Sequence, residues 1–401
     1  MGKIKILCPY CFQSFYNNQV MLQCENMNTT ASGEARCEKE NNVRFSDYWG
    51  SEVQTKHIFA PNIGVLSSLF GYSPKSEKCD KCGYSSKRFV CPHCNNWLPT
   101  EMIEKGSEII SVIGGPASGK TTYIISLIHE IRKYGYKVNL QVTPQQVGRN
   151  KSEYTYNKYK DAEQLLFENR TIVPKTQVSS RSIPWILRLE SHKSHKAIYL
   201  VFYDTAGESF NSAEDMARNA RYLSESLGVI VLFDTLSIKK IKSMIEGRGF
   251  TSDGVATPFD VTAAALYNFA TDNKGLYKKP FAFVMSKFDT IRENKLDVDM
   301  NLAPFAENSS FIKTGKFSLK QVEDSHLAIK SALEDPELLD EGQLAYDISN
   351  NWKDNYKFFG VSALGQMVED GMLSQEIKPF RVMDPLLWVL NKIGGFDIPT
   401  E

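Results

Sequence analysis

The 401-residue sequence has no net charge, no long apolar run and no cysteine beyond residue 94. Its 47 basic residues balance its 47 acidic residues, so bulk electrostatics does not favour nucleic-acid or membrane binding. No apolar run approaches the roughly 20 residues that cross a bilayer. The apolar stretch at the N-terminus is too short for a secretion signal, and Ile6 stands where a myristoylation motif needs Ser or Thr. We therefore expect a cytoplasmic protein without a membrane partner.

All eight cysteines lie in the first 94 residues, and six of them form three C-x-x-C pairs. In a long chain without an export signal, such pairs indicate metal sites rather than disulfides. A redox role would need a βαβ context, which is missing here. We predict a zinc-binding module over residues 1–105, in which two Zn²⁺ ions are bound by Cys8, Cys11, Cys24, Cys37, Cys79, Cys82, Cys91 and Cys94.

The spacing of these cysteines favours one pairing over others. The last two C-x-x-C pairs are close in sequence and are expected to share one site, formed by Cys79, Cys82, Cys91 and Cys94. The second, more loosely spaced site would then use Cys8, Cys11, Cys24 and Cys37. An interleaved pairing, in which Cys8 and Cys11 join a later pair, stays open. His57 and His93 are alternative ligands, but other roles are favoured for them because eight sulfurs already fill two sites.

The remaining residues, 106–401, are organised around the stretch I-I-S-V-I-G-G-P-A-S-G-K-T-T at 109–122. A β-branched run predicts a buried strand, a Gly-rich loop follows, and an apolar helical pattern comes after it. This is the phosphate-binding motif G-x-x-x-x-G-K-[ST] in its required setting. Loop amides and the helix N-terminus bind phosphate, Lys120 reaches the β- and γ-phosphates, and the Thr121 hydroxyl can ligate Mg²⁺. The predicted contacts are Gly114, Gly115, Pro116, Ala117, Ser118, Gly119, Lys120, Thr121 and Thr122.

A second motif follows the strand-like run 197–203 and reads Asp204-Thr-Ala-Gly207. A carboxylate at the end of a strand, facing Thr121, can complete a Mg²⁺ site. The Gly207 N–H can contact a γ-phosphate without a side chain in the way. We therefore predict that Thr121 and Asp204 hold Mg²⁺.

Two further motifs indicate which base is bound. The run 281–285 ends in Ser286-Lys287-Phe288-Asp289, and an Asp carboxylate can accept hydrogen bonds from guanine N1–H and the exocyclic amine. Adenine lacks this pair of donors, so the motif favours guanine. After the run 358–361, Ser362-Ala363-Leu364 offers a backbone N–H to the guanine O6.

In this order, the four motifs resemble those of Ras-like, TRAFAC-class P-loop GTPases over most of residues 106–370. With the cysteine-rich segment and the ending R-V-M-D-P-L-L-W, the whole resembles a bacterial double-GTPase-like family with zinc ribbons, linked to conflict systems. The resemblance implies an α/β fold: a six-stranded, mostly parallel sheet with helices on both faces, plus a small N-terminal zinc-ribbon module. It implies GTP and GDP as ligands and Mg²⁺ as cofactor. It assigns guanine recognition to Lys287, Asp289, Ser362 and Ala363.

The sequence departs from the family pattern at two positions. Ser286 stands where Asn or Thr is usual, which is expected to remove part of the bracing between loops. Glu208 stands where many relatives have the Gln that orients water, so we expect slow or partner-dependent hydrolysis. For the switch I threonine, Thr176 is favoured over Thr171. Three arginines lie near the expected switches, and surface ion pairs are favoured for each: Arg181, Arg218 and Arg221.

Insertions are predicted at 135–182 and 290–356, with helices at 318–334 and 337–350, and a closing helix is predicted at 384–393. The predicted function is Mg²⁺-dependent GTP hydrolysis, with Lys120, Gly207 and Glu208 as catalytic residues. The predicted output is a switch that the zinc module or a protein partner senses. The alternatives are a GTP-loaded adaptor with little hydrolysis, an ATPase, and a zinc module that binds nucleic acid. The Tyr- and Lys-containing segment 154–166 supports the last, although a helix that buries one aromatic stripe is the favoured interpretation of that segment. The zero net charge disfavours nucleic-acid binding.

Overall fold

The computed structural model covers the chain, and the structure is described here for most of it. The described residues are 3–33, 36–64, 75–114, 118–148, 154–174, 183–203, 221–246, 274–292, 300–335, 342–366, 373 and 375–401. They divide into two compact units. The first unit comprises Met1–Ile109, Pro144–Lys158 and Ser179–Ile186, and the second comprises Ile110–Thr143, Tyr159–Val178 and Leu187–Glu401. The division at residue 105 stays a prediction.

The first unit consists of very short strands in small antiparallel sheets. Strand β1 pairs with β2, β4 with β5 and β7 with β8, while β3 lies between β6 and β9. Elements this short bury little apolar surface, so such a unit needs cross-links to be stable. The elements are β1 Lys5–Leu7, β2 Ser14–Tyr16, β3 Met21–Gln23, β4 Lys39–Asn41, α1 Val43–Trp49, β5 Gln54–Lys56, β6 Ile58–Phe59, β7 Glu77–Lys78, β8 Ser85–Ser86, β9 Arg88–Val90 and α2 Thr100–Lys105.

The main sheet has seven strands in the order β11-β12-β13-β10-β14-β15-β16. The pairs β10/β14, β14/β15 and β15/β16 are parallel. Every residue of β14 and β15 is buried, as expected for parallel strands covered on both faces. The strands are β10 Ile109–Gly114, β11 Leu140–Pro144, β12 Trp185–Ser191, β13 Ala197–Phe202, β14 Gly228–Asp234, β15 Phe281–Ser286 and β16 Tyr356–Gly360.

This architecture confirms the predicted α/β fold with a mostly parallel sheet, although the sheet has seven strands rather than six. Strand β11, at one edge, was not expected, because its five residues lie inside a segment interpreted as a polar insertion. Strand β11 is stabilised by hydrogen bonds to β12 even though its own apolar pattern is weak. Pairing between strands far apart in sequence cannot be predicted from a local pattern.

Helices lie on both faces of the sheet. Phe358 and Phe359 are consecutive in β16 and therefore point to opposite faces. The ring of Phe358 stacks on His326, which lies in the helix Leu319–Glu334. On the other face, the ring centroid of Phe359 lies 5.9 Å from that of Trp388, which lies in the helix Asp384–Ile393. The helices after α2 are α3 Lys120–Tyr134, α4 Thr155–Glu163, α5 Lys239–Glu246, α6 Asp289–Arg292, α7 Ser310–Thr314, α8 Leu319–Glu334, α9 Gly342–Trp352 and α10 Asp384–Ile393.

The predicted closing helix is confirmed at Asp384–Ile393, and the first predicted insertion helix at Leu319–Glu334. The second is present as Gly342–Trp352, after residues that lie outside the described part of the chain. Within the described residues, no helix combines the length and the apolar character needed to cross a bilayer.

Candidate functional site

The predicted nucleotide motifs follow strands that are neighbours in the sheet. In the register of the parallel pairs, Gly114 lies opposite Leu232, and Met285 lies opposite Gly360. The carboxyl ends of β10, β14, β15 and β16 therefore share one edge. Ligands of open α/β sheets bind at this edge.

The ends of the phosphate-binding loop have the geometry that its glycines predict. A Cβ on Gly114 would lie 2.5 Å from Leu232 O and 2.8 Å from Ser118 Oγ, so no side chain fits there. Gly119 has φ = +73° and leads directly into α3. The buried Lys120 donates a hydrogen bond from Nζ to Gly114 O (3.0 Å), which closes the two ends of the loop on each other.

Ser286 braces the phosphate-binding loop. Its Oγ lies 2.8 Å from Ser118 O and 3.0 Å from Phe233 O, and its own carbonyl accepts a hydrogen bond from Thr235 Oγ1 (2.6 Å). We expected that a serine here would remove part of the bracing. The structure shows that the shorter side chain still links the loop predicted to bind the base to the phosphate-binding loop.

Lys287 is held in place by a carboxylate that the sequence analysis did not single out. Lys287 Nζ lies 2.6 Å from Oδ2 of Asp234, which is the last residue of β14 and is 3% exposed. The other oxygen, Oδ1, accepts a hydrogen bond from Leu236 N (2.9 Å). An acidic residue that ends an otherwise apolar strand was the available sequence signal.

Asp289 is buried and begins α6, directly beyond the carboxyl end of β15. The loop before it is fastened to the next strand: Phe288 N donates to Val361 O (3.0 Å), and Val361 N donates to Met285 O (2.9 Å). A Cβ on Gly360 would lie only 2.8 Å from carbon atoms of the Phe288 ring, so a side chain at residue 360 would collide with that ring. The loops that carry Asp289 and Ala363 are therefore packed against each other.

Other predicted site residues are placed as follows. Ser362 is buried, and Ala363, Thr121 and Thr122 are half-buried. Thr171 is exposed, and its hydroxyl donates to Asn169 O (3.2 Å). Arg221 is exposed at the start of a described segment. The following lie outside the described residues: Gly115, Pro116, Ala117, Thr176, Arg181, Asp204, Gly207, Glu208 and Arg218. The Mg²⁺ ligands and the switch residues therefore stay predictions.

The eight cysteines of the first unit form two groups of four, and in each group the sulfurs lie within 4.8 Å of one another. One group contains Cys8, Cys11, Cys91 and Cys94, and the other contains Cys24, Cys37, Cys79 and Cys82. The favoured pairing, with Cys79, Cys82, Cys91 and Cys94 in one site, is therefore wrong. The interleaved alternative is the one that the structure shows.

Strand β9 is the physical reason for this pairing. It separates Cys82, which precedes it, from Cys91, which follows it directly, by three extended residues or about 10 Å. Strand β3 runs antiparallel to β9, with Met21 opposite Val90. Cys24, which follows β3, therefore lies at the end of the ladder that is remote from Cys91.

The geometry of both groups fits a tetrahedral thiolate site. The distances Cys8 Sγ–Cys94 Sγ, Cys11 Sγ–Cys91 Sγ and Cys24 Sγ–Cys82 Sγ are 3.7, 3.8 and 3.6 Å. Four sulfurs at the 2.3 Å Zn–S distance are about 3.8 Å apart. Burial raises the pKa of the Cys8 and Cys94 thiols, so four thiolates there need a cation.

Backbone and side-chain N–H groups also point at the sulfurs, as metal-bound thiolates require. Asn26 N donates to Cys24 Sγ (3.5 Å), and Asn26 Nδ2 donates to Cys82 Sγ (3.4 Å). Neither group includes His57 or His93 among the described residues. The ring of His57 instead contacts the carboxylates of Glu40 and Asp80.

Comparison with known proteins gives a family match and a relative that aligns with almost the whole chain. A family model described as Double-GTPase 2 matches residues 108–333. A Mycolicibacterium smegmatis protein, SaeC, named for ESX-1 scaffolding and assembly, is 24% identical over 410 residues, which cover 96% of this chain and 99% of that protein.

Two solved structures are also similar, at low level. One is a Plasmodium falciparum protein described as nucleolar GTP-binding protein 1, with 12% identity and a TM-score of 0.29 over 72% of this chain and 86% of that one. The other is the Arl6 small GTPase of Trypanosoma brucei with bound GppNp, with 11% identity and a TM-score of 0.29 over 72% and 97%.

Proposed function

Since this chain belongs to the Double-GTPase 2 family of P-loop GTP-binding proteins, we propose that it hydrolyses GTP to GDP and phosphate and acts as a nucleotide-dependent switch. The observation that carries the proposal is the shared carboxyl edge of β10, β14, β15 and β16. There the Ser286 hydroxyl joins the loop proposed to bind phosphate to the loop proposed to bind guanine.

In this proposal, the chain itself supplies position and charge. Lys120 and the loop amides bind the phosphates, while Asp289 and Ala363 read the guanine edge. Thr121 and Asp204 would hold Mg²⁺, which neutralises negative charge on the β- and γ-phosphates. Glu208 accepts a hydrogen bond from the attacking water, and its negative charge near the γ-phosphate keeps the reaction slow.

The test of the base preference is competition for a bound fluorescent GDP analogue. GTP is expected to displace it at least tenfold better than ATP does, because adenine gives Asp289 no donor pair. Asp289→Ala is expected to remove the difference, and Lys120→Ala to weaken both nucleotides. Equal displacement by ATP and GTP from the wild-type protein would show that the base assignment is wrong.

Hydrolysis is tested by multiple-turnover phosphate release in the presence of Mg²⁺. Release well above that of Lys120→Ala supports the enzyme, and Glu208→Gln is expected to increase it by restoring a neutral residue that orients water. GTP binding with release no higher than in Lys120→Ala would favour the adaptor alternative.

A scaffold role is a second candidate function. The observation that favours it is the similarity, over almost the whole of both chains, to a protein named for ESX-1 scaffolding and assembly. We propose that the two Zn²⁺ ions stabilise the N-terminal module as a protein-binding surface and that this surface responds to the nucleotide. Amide hydrogen exchange of residues 3–33 and 75–105 should differ between the GDP-bound and GppNHp-bound protein. Identical exchange would contradict the coupling.

A further inference from the structure

A buried hydroxyl links the helix that follows the phosphate-binding loop to the predicted O6-binding turn. Ser126, six residues after Lys120 in α3, is fully buried. Its Oγ donates a hydrogen bond to Ala363 O at 2.8 Å, across 237 positions of sequence. A serine within a helix commonly bonds to the carbonyl one turn earlier, so a bond to a distant loop needs another explanation.

The turn that Ser126 contacts is also held from the other side. Ser362 N donates to Phe380 O (3.1 Å), and Phe380 N donates to Ser362 O (2.8 Å). Gly365 N donates to Ser362 Oγ (2.7 Å), and a Cβ on Gly365 would lie 2.1 Å from Lys378 O. The backbone on the N-terminal side of Ala363 is therefore fixed.

Among the described residues, these contacts leave two N–H groups of the turn available, those of Ala363 and Leu364. Within the described part of the chain, the Ala363 N–H has no hydrogen-bond partner, whereas the N–H groups of Ser362 and Gly365 have partners. The bridge to Phe380 fixes the peptide before Ala363, and the Ser126 hydroxyl fixes the peptide after it. The direction of the Ala363 N–H is thus set on both sides.

We propose that Ser126 is a positioning residue for base specificity, which holds the 362–365 turn so that the Ala363 N–H meets the O6 of guanine. This inference rests on the proposed guanine-nucleotide function. It also couples the two halves of the site, because the same helix begins with the lysine that binds phosphate. Loss of the hydroxyl is expected to affect recognition of O6 and to leave recognition by Asp289 intact.

The experiment separates the two edges of the base. Dissociation constants are measured for GDP, for 2-aminopurine riboside diphosphate, which lacks O6 and the N1–H, and for IDP, which keeps both but lacks the exocyclic amine. The N1–H is missing from the 2-aminopurine nucleotide in wild type and variant alike, so the change in preference between the two proteins reports the contact with O6. In Ser126→Ala, the preference for GDP over the 2-aminopurine nucleotide is expected to fall about three- to tenfold, the value of one hydrogen bond. The preference for GDP over IDP is expected to stay unchanged, because it depends on Asp289.

Ser226→Ala is the matched control, since Ser226 is equally buried and its hydroxyl donates to a backbone carbonyl, Tyr222 O, away from the base loops. It should change neither ratio. Ser126→Cys keeps the size of the side chain with a weaker donor, and it carries the test if Ser126→Ala does not fold. An unchanged preference for GDP over the 2-aminopurine nucleotide in every folded Ser126 variant overturns the proposal. A wild-type protein that binds no guanine nucleotide would instead overturn the proposed function.

Discussion

Lys287 Nζ and Asp234 Oδ2 lie 2.6 Å apart at the carboxyl edge of the main sheet. Asp234 ends β14, the strand that lies between the one leading to the phosphate-binding loop and the one leading to the base motif. The Asp234 carboxylate is buried and also accepts a hydrogen bond from Leu236 N, so its position is fixed. It therefore holds the ammonium group of Lys287 in place. The contact fixes the end of the Lys287 side chain, whose stem is proposed to stack on the guanine base.

Asp234→Asn is expected to weaken GDP binding about tenfold, or about 1.4 kcal/mol, because it removes the charge that orients Lys287 while its amide oxygen still accepts from Leu236 N. Displacement of a fluorescent GDP analogue measures the change. Asp324→Asn, which breaks the exposed ion pair with Lys320, serves as the control and should have no effect. Equal affinities for wild type and Asp234→Asn would show that the pair does not position the lysine.

A second prediction concerns the close approach of backbones at Gly114. In Gly114→Ala the new methyl group would lie 2.5 Å from Leu232 O, so the phosphate-binding loop must shift. GDP affinity is expected to fall at least tenfold, with a loss of about 1–3 kcal/mol in stability from overpacking. Gly275→Ala is the matched control, because a Cβ there meets nothing within 4 Å. Retained GDP binding in Gly114→Ala would contradict the tight loop geometry.

The sequence was most informative where a function depends on local spacing. The P-loop motif predicted both the strand that ends at Gly114 and the helix that begins at Lys120, since each residue acts on its immediate neighbours. The strand that precedes the base motif, Phe281–Ser286, was predictable for the same reason. Asp234 was missed because its role appears only when β14 and β15 lie side by side, with Asp234 opposite Ser286.

The cysteine pairing shows the same limit. Sequence proximity favoured Cys82 and Cys91 as partners, whereas an intervening extended strand keeps them apart. The pairing is set by the antiparallel contact of β3 with β9, two segments more than 60 positions apart in sequence. A contact between strands so far apart in sequence cannot be predicted from the spacing of neighbouring cysteines.

The pairing predicts how many metal ions are lost in double variants. The wild-type protein is expected to hold two Zn²⁺ ions per chain by elemental analysis. Cys11→Ala with Cys91→Ala damages one group and should leave one ion. Cys11→Ala with Cys82→Ala damages both and should leave none. The pairing favoured by the sequence makes a different prediction, since both of these double variants would then lose two ions.

The last prediction concerns acid stability and His326 of α8. The ring is buried, its Nδ1 accepts a hydrogen bond from Phe358 N (3.1 Å), and it must therefore be neutral in the folded protein. Burial, together with the nearby charges of Lys357 and Lys330, lowers the pKa of His326 to about 3. The unfolded chain binds this proton near its ordinary pKa of 6.5, so the stabilising effect is complete above that pH and is lost as the pH falls toward 3.

Between pH 7.5 and pH 5.0 this group alone is expected to remove about 2 kcal/mol from the free energy of unfolding. His326→Asn keeps an acceptor for Phe358 N without a group that titrates in this range. The variant is expected to be less stable than wild type at pH 7.5, because the smaller side chain leaves a cavity. Its stability should nevertheless fall by about 2 kcal/mol less on acidification. Urea unfolding at the two pH values measures both quantities, and parallel losses in the two proteins would show that His326 is not the group that titrates.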